Sequence, residues 1–228
     1  KKKITGSFYV PVNPIKNKIV LDVNKIQFIL SLGSDPKKII NNINNFLIKK
    51  SLKKLNIEKI QKKILKDGTI SPYDDKYTNL IKRVLQYILP KKIRLEVIRY
   101  LLEKSLKITE KELSEKLYLN KKEIIEMHNY GMDFGSHGLA HEYLGKITKK
   151  KQENEIFKSK LFFKELGLNT KNFSISYPYG SCNNYTLKIL SKAKYKYGFI
   201  DGHGTINSKN IEDKFLFPRI DKNIIKNK

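Results

Sequence analysis

The chain has 228 residues, 39% of them apolar and 11% aromatic, which excludes a disordered polymer and suits one domain with room for an inserted subdomain. Its single cysteine, Cys182, excludes an internal disulfide and any multi-cysteine zinc site. The formal net charge is +25, yet only four of the 47 basic side chains are arginines (Arg83, Arg94, Arg99 and Arg219). Arginine is the residue best suited to bidentate phosphate and base contacts. Lysine also rises together with asparagine and isoleucine, as in Asn41-Asn42-Ile43-Asn44-Asn45. A general drift of composition explains this charge better than a nucleic-acid surface does. No apolar run reaches the roughly 18 residues of a membrane span, and Lys1–Gly6 lack the apolar core and cleavage site of a secretory signal.

Ser7-Phe8-Tyr9-Val10-Pro11-Val12-Asn13 reads as a short strand, aromatic and β-branched residues running into a proline stop. Residues 14–34 read as irregular, with Ile19-Val20-Leu21 as an edge-strand candidate. Asp35-Pro36 is a helix start, Asp35 as N-cap and Pro36 at the first helical position. Ile39, Ile40, Ile43, Phe46 and Leu47 then recur at helical spacing. A lysine-rich connection follows, and Asp67-Gly68-Thr69 has the chemistry of a turn. The helical period returns from Lys76 with Leu80, Ile81, Val84, Leu85 and Ile88, and breaks at Pro90. It resumes at Ile93, Val97, Ile98, Leu101 and Leu102, and again over Lys111–Leu117. Residues 35–117 therefore read as a helical insertion with solvated lysine faces and no catalytic cluster.

The second half carries the chemistry. Asn120 and Glu123 fit a capping box at the start of a helix through Ile124, Ile125, Met127 and His128, with Gly131 as its stop. Met132-Asp133-Phe134-Gly135 reads as a strand that delivers Ser136-His137-Gly138-Leu139-Ala140-His141. Two of the four histidines thus stand at i and i+4, a spacing that on a helical turn places both imidazoles on one face. Neutral imidazole is a common ligand for zinc and its neighbours. A helix over Glu153–Leu166 follows, read with Ile156, Phe157, Leu161 and Phe163 inward and Gly167 as its stop. Phe173–Tyr177 alternates as a strand ending at Pro178-Tyr179-Gly180, Leu187, Ile189 and Leu190 mark a helix, and Tyr197-Gly198-Phe199-Ile200 another strand. Alternating strands and helices predict an α/β fold, a βα barrel or doubly wound sheet, in which strand C-terminal ends face the active site. Both His137 and Tyr179 lie just past such ends.

This order of segments resembles the polysaccharide deacetylases, the carbohydrate esterase family four hydrolases, whose fold is a distorted (β/α) barrel. Gly131-Met132-Asp133-Phe134-Gly135-Ser136-His137-Gly138-Leu139-Ala140-His141 is similar to the family's His-x-x-x-His motif. Ser176-Tyr177-Pro178-Tyr179-Gly180 is similar to its Arg-x-Pro-Tyr-Gly motif except at the first position, and the late Phe217-Pro218-Arg219-Ile220-Asp221 also agrees. The resemblance covers residues 118–221 and reaches Ile4–Val12 weakly. It implies the start of a barrel over 1–34, a helical insertion over 35–117 that shapes the substrate groove, and the rest of the barrel over 118–228.

The implied activity is metal-dependent removal of N-acetyl groups from amino sugars in a polysaccharide or glycan precursor. The substrate is then an N-acetylated carbohydrate, and the cofactor a divalent ion, usually zinc, held by His137 and His141 with an aspartate. The backbone N–H of Tyr179 would stabilise the oxyanion, and Tyr177, Pro178, Tyr179 and Gly180 would line the substrate. The departures are specific. The family's Asp-Asp-Gly, which carries the general base and third metal ligand, occurs nowhere, and Asp74-Asp75 stands in a different context. The chain is therefore read as lacking its first βα unit, as a fragment or numbered from an internal residue. Ser176 replaces the motif arginine, for which Arg219 is the candidate substitute, and His203 in Gly202-His203-Gly204 is the candidate general acid. His128 reads as structural. A glycan-binding relative that keeps the barrel but has lost the base is the alternative.

Overall fold

The computed structural model describes residues 4–32, 35–66, 74–105, 108–201 and 214–219. The chain divides into two compact units, one of residues 1–19 with 114–228, the other of residues 20–113.

The first unit is built on a parallel sheet of four strands, β1 (Ser7–Val10), β2 (Asp133–Ser136), β3 (Ser174–Ser176) and β4 (Tyr197–Phe199), in the order β1-β2-β3-β4. Parallel neighbours need crossovers. Here β2 reaches β3 through a helix over Lys149–Glu165, and β3 reaches β4 through one over Asn184–Lys192. Phe199 also bridges Phe217 in parallel, but the described strands do not close into a barrel. Phe134, Phe163, Phe173, Ile175, Leu190 and Tyr195 are buried together between sheet and helices. Tyr9 stands opposite Gly135 across the β1–β2 ladder, and a Cβ at 135 would lie 2.4 Å from the Tyr9 ring. Glycine there lets the Tyr9 ring lie across the sheet, where its hydroxyl meets Ser174 Oγ at 2.9 Å.

Two readings of the N-terminal region are corrected. Residues 14–32 are mostly helical rather than irregular: α1 covers Val12–Asn17 and α2 covers Asp22–Ser31. Pro14 sits within the first turn of α1, where a missing N–H costs nothing, so a residue that reads as a breaker is tolerated. Ile19-Val20-Leu21 forms no strand; Val20 and Leu21 are buried in the link between α1 and α2.

The second unit is helical, as its periodicity implies. In α3 (Pro36–Lys49) Asp35 accepts from Lys37 N at 3.0 Å, and Ile39, Ile40, Ile43, Phe46 and Leu47 are all buried. The lysine-rich connection holds a further helix, α4 (Ile57–Lys66), whose Ile64 is buried, so only part of that stretch is a connection. Asp75 caps α5 (Lys76–Arg83), accepting from Tyr77 N and Thr78 N, while Asp74 pairs with Lys82 at 2.6 Å. The Asp-Asp pair thus starts and braces a helix. A π-turn over Val84–Ile88 leads to Pro90, then α6 (Lys91–Ser105), and α7 (Glu110–Leu117) spans the boundary at residue 113. Asp67-Gly68-Thr69 lies outside the described residues.

Back in the first unit, α8 (Lys121–Asn129) begins with the expected reciprocal capping box. Asn120 N donates to Glu123 Oε2 at 2.7 Å, and Glu123 N donates to Asn120 Oδ1 at 3.1 Å. Gly131, at φ +88°, turns the chain out of α8 into β2.

The helix over Lys149–Glu165, α9, presents a different face from the one its apolar residues suggest. Ile156 and Phe163 are inward as expected, but Phe157 is 39% exposed and Leu161 51% exposed. Gln152, Glu155, Ser159 and Phe162 take the remaining buried positions. The last helix, α10 (Asn184–Lys192), starts at Asn183, whose side chain accepts from Thr186 N at 3.0 Å.

Candidate metal and substrate site

His137 follows directly on β2, and its N–H continues the β1–β2 ladder by donating to Val10 O at 3.2 Å. The next residues are not a helical turn. Gly138 (φ +73°) and His141 (φ +58°) are both left-handed, and the intervening backbone is a loop. The expectation of a shared helical face is therefore corrected. The loop nevertheless brings the two imidazoles together, with ring centroids 4.7 Å apart at 68°. Its peptides are pinned from two sides. Val12 N and Asn13 N, at the start of α1, donate to Gly138 O and Leu139 O, while Glu155 on α9 accepts from Leu139 N and Ala140 N.

Both rings are neutral at pH 7. Burial pushes His137 below the ordinary imidazole range, opposed by its hydrogen bond to Ser176, and the Arg219 guanidinium acts in the same direction as burial. Burial, with the neighbouring His137, takes His141 down to about 4. His137 Nδ1 lies 2.6 Å from the Ser176 carbonyl oxygen. A carbonyl can only accept, so in the neutral ring Nδ1 carries the proton and Nε2 keeps its lone pair. A contact of this kind fixes the ring and tautomer wherever a histidine ligates a metal. His141 Nδ1 is buried with no hydrogen-bond partner among the described residues, a condition that costs free energy unless something else engages it. The donor set therefore fits a divalent cation. Among the described residues no third histidine, cysteine or carboxylate joins the pair.

The Pro178-Tyr179-Gly180 turn stands beside the histidines. Tyr179 holds φ +56°, ψ +22° within a short 3-10 turn, an uncommon conformation for a residue with a side chain. Gly180 follows at φ +61°, where a Cβ would lie 2.8 Å from Asp201 Cβ. The Tyr179 ring is 4.6 Å from that of His141, edge to face, and stacks flat on Tyr143 at 3.9 Å. Tyr179 is 37% exposed, so it can face a bound molecule.

Other predicted site residues fare differently. Tyr177 is fully buried and its hydroxyl donates to Phe215 O at 2.8 Å, so its side chain belongs to the core and not to a substrate surface. Pro178 is buried as well. Both side chains are corrected from lining residues to supports of the turn. Arg219 is exposed and its Nε donates to Ile200 O at 3.2 Å, with its charge felt at both Tyr9 and His137. His128 Nδ1 lies 3.2 Å from Met132 O at the foot of β2. His203 lies outside the described residues.

Three contributors went unnoticed in the sequence: the Ser176 carbonyl, Tyr143 and Glu155. A backbone oxygen carries no residue signature, and Tyr143 becomes informative only once it stacks on Tyr179. Glu155 did leave a signal, since Gln152, Glu155 and Ser159 share the helical phase of Ile156 and Phe163.

The chain matches the family model described as polysaccharide deacetylase over residues 66–198, well over half its length and inclusive of both histidines and the Pro-Tyr-Gly turn. The chain belongs to the polysaccharide deacetylase family. This deacetylase-family chain is 29% identical over 126 residues to YxkH of Bacillus subtilis (strain 168), whose name places it provisionally among polysaccharide deacetylases, covering 55% of this chain and 42% of that protein. It is also similar to the Streptococcus pyogenes deacetylase PplD, solved in complex with acetate, at 31% identity and a TM-score of 0.43 over 48% of this chain and 47% of that one. The chain spans less than half the length of either relative.

The depressed histidine sets a pH dependence for the metal-free protein. The unfolded chain binds a proton at His141 below about pH 6.5, whereas the folded chain binds it only near pH 4. Between those values the unfolded state holds more protons, so stability falls as pH falls, by up to about 3 kcal/mol from this group. His141→Asn tolerates the left-handed backbone and does not titrate there. Urea unfolding at pH 7.5 and pH 4.5 should show a larger loss for the wild type than for His141→Asn. Equal losses would mean that His141 titrates normally.

Proposed function

We propose that this chain forms part of a metal-dependent deacetylase that hydrolyses the N-acetyl group of an amino sugar in a polysaccharide or glycan precursor. The observation that carries this reading is the pair of neutral imidazoles 4.7 Å apart, one of them oriented by the Ser176 carbonyl. His137 and His141 hold the ion, and a carboxylate beyond the described residues completes the set. Imidazole nitrogens with one carboxylate suit zinc in an open, catalytic arrangement. When bound, the ion supplies Lewis-acid polarisation of the amide carbonyl and of an attacking water.

The chain's own groups do the rest. Burial keeps both imidazoles unprotonated, so their lone pairs are available without a competing proton. Tyr179, in its left-handed turn beside His141, is assigned the peptide N–H that donates to the carbonyl oxygen as negative charge develops there. Stacking on Tyr143 holds that turn in place. Arg219, whose charge reaches His137, supplies the guanidinium that Ser176 cannot, orienting the carboxylate that serves as general base. His203 is assigned as the general acid that protonates the leaving amine.

The test uses the full-length protein. It is stripped with a chelator and assayed for acetate release from N-acetylglucosamine oligosaccharides, before and after zinc or cobalt is returned. Release that disappears with the metal and returns with it supports the proposal. Oligosaccharide binding with no acetate release under any metal overturns it in favour of a glycan-binding relative.

A further inference from the structure

The geometry points to Glu155 as the positioning residue of the histidine loop, setting the affinity with which His137 and His141 hold their ion. This inference rests on the reading of those histidines as ligands. Glu155 is only 6% exposed, and a carboxylate is seldom buried that far without strong partners. Its Oε2 accepts from Leu139 N at 2.6 Å and from Ala140 N at 3.1 Å, two consecutive peptides between the histidines. Hydrogen bonds to an ionised acceptor are about twice as strong as neutral ones.

The approach of the carboxylate also explains Gly138. A Cβ at that position would lie 2.7 Å from Glu155 Oε2, and the residue is left-handed besides. Ser159, one turn further along α9, places its Oγ 2.7 Å from Ser136 Oγ, which in turn accepts from Gly138 N at 3.1 Å. Gln152, one turn earlier, donates to Ile147 O and accepts from Thr186 Oγ1. The buried polar stripe of α9 thus meets the chain before, between and after the histidines, at the Ser136 hydroxyl, at the peptides of Leu139 and Ala140 and at the Ile147 carbonyl, and Glu155 is its carboxyl member. Helix α9 gives up apolar packing at these positions, and what it gains is a fixed spacing between two imidazoles that no helix holds in register. Supports of this kind around a metal typically change affinity about 10–100-fold when removed.

The experiment compares Glu155→Ala and Glu155→Gln with the wild type in the full-length protein. Zinc affinity is read by competition with a chromophoric chelator. Amide hydrogen exchange at residues 139 and 140 is read in the metal-free state, with circular dichroism confirming that each variant is folded. Glu155→Ala is expected to lose about 10–100-fold in zinc affinity and to speed exchange at both amides. Glu155→Gln keeps a neutral acceptor and should recover part of both. Wild-type zinc affinity in Glu155→Ala, or unchanged exchange at 139 and 140, would overturn the role. A wild-type protein with protected amides but no zinc uptake would overturn the ligand reading and this role together, while leaving the clamp itself standing.

Discussion

His137→Ala in the full-length protein is expected to abolish stoichiometric binding of the divalent ion and to lower acetate release by at least about a thousandfold. An ion that stabilises developing charge by several kcal/mol is worth roughly a factor of ten for each 1.4 kcal/mol. The loss of the ion should be complete, because the Ser176 carbonyl orients this ring and the loop's other imidazole, His141, is already assigned as the second ligand. His128→Ala is the matching control. That ring contacts Met132 O at the start of β2 and stands away from the loop in sequence and in role. It should leave metal content unchanged. Metal content is measured by elemental analysis after gel filtration, with acetate release assayed alongside. A His137→Ala protein that retains one tightly held ion would sink the assignment of this ring.

Phe163→Ala is expected to destabilise the full chain by about 3–5 kcal/mol, lowering Tm by roughly 10 °C for a chain of this size. The Phe163 ring is fully buried, with the rings of Phe134, Phe162 and Phe173 at 6.5, 5.3 and 5.2 Å. Truncation removes the apolar transfer energy and leaves a cavity between α9 and β2 that aromatic neighbours fill poorly. Phe157→Ala on the same helix should cost under about 1 kcal/mol, because the residue is 39% exposed. The pair, compared by thermal or urea denaturation, tests which face of α9 is inward. Equal losses would mean that the helix packs in the phase its apolar residues suggest, and that the polar stripe bearing Glu155 is not buried.

Much of the fold was legible because its signals are local. Asp35-Pro36 and Asn120 read as helix starts because their side chains bond to peptides two or three residues on, and both do so. The buried residues of α3 follow one helical period because they pack against other helices along a single stripe. The strand ends before His137 and Tyr179 were legible for a similar reason, since short β-rich runs stop at glycine or proline. α1 was missed because Pro14 reads as a breaker unless the helix is known to begin two residues earlier. The phase of α9 was misread because period counts apolar residues, and here three polar ones hold buried positions for the partners they meet across the fold.

The sequence by itself determined the two family motifs, the spacing of the two histidines, the Pro-Tyr-Gly turn and the succession of strands and helices, each motif and element being read from residues within about ten positions of one another. Only the tertiary structure decided that the histidines meet through a loop, that Tyr177 is core, and that Glu155 and the Ser176 carbonyl orient the pair. Those facts depend on contacts between α9, β3 and the residues after β2, separated by 16 and 39 positions along the chain. A hydrogen bond across that distance exists only after the sheet has brought its ends together, and no local pattern of side chains encodes it.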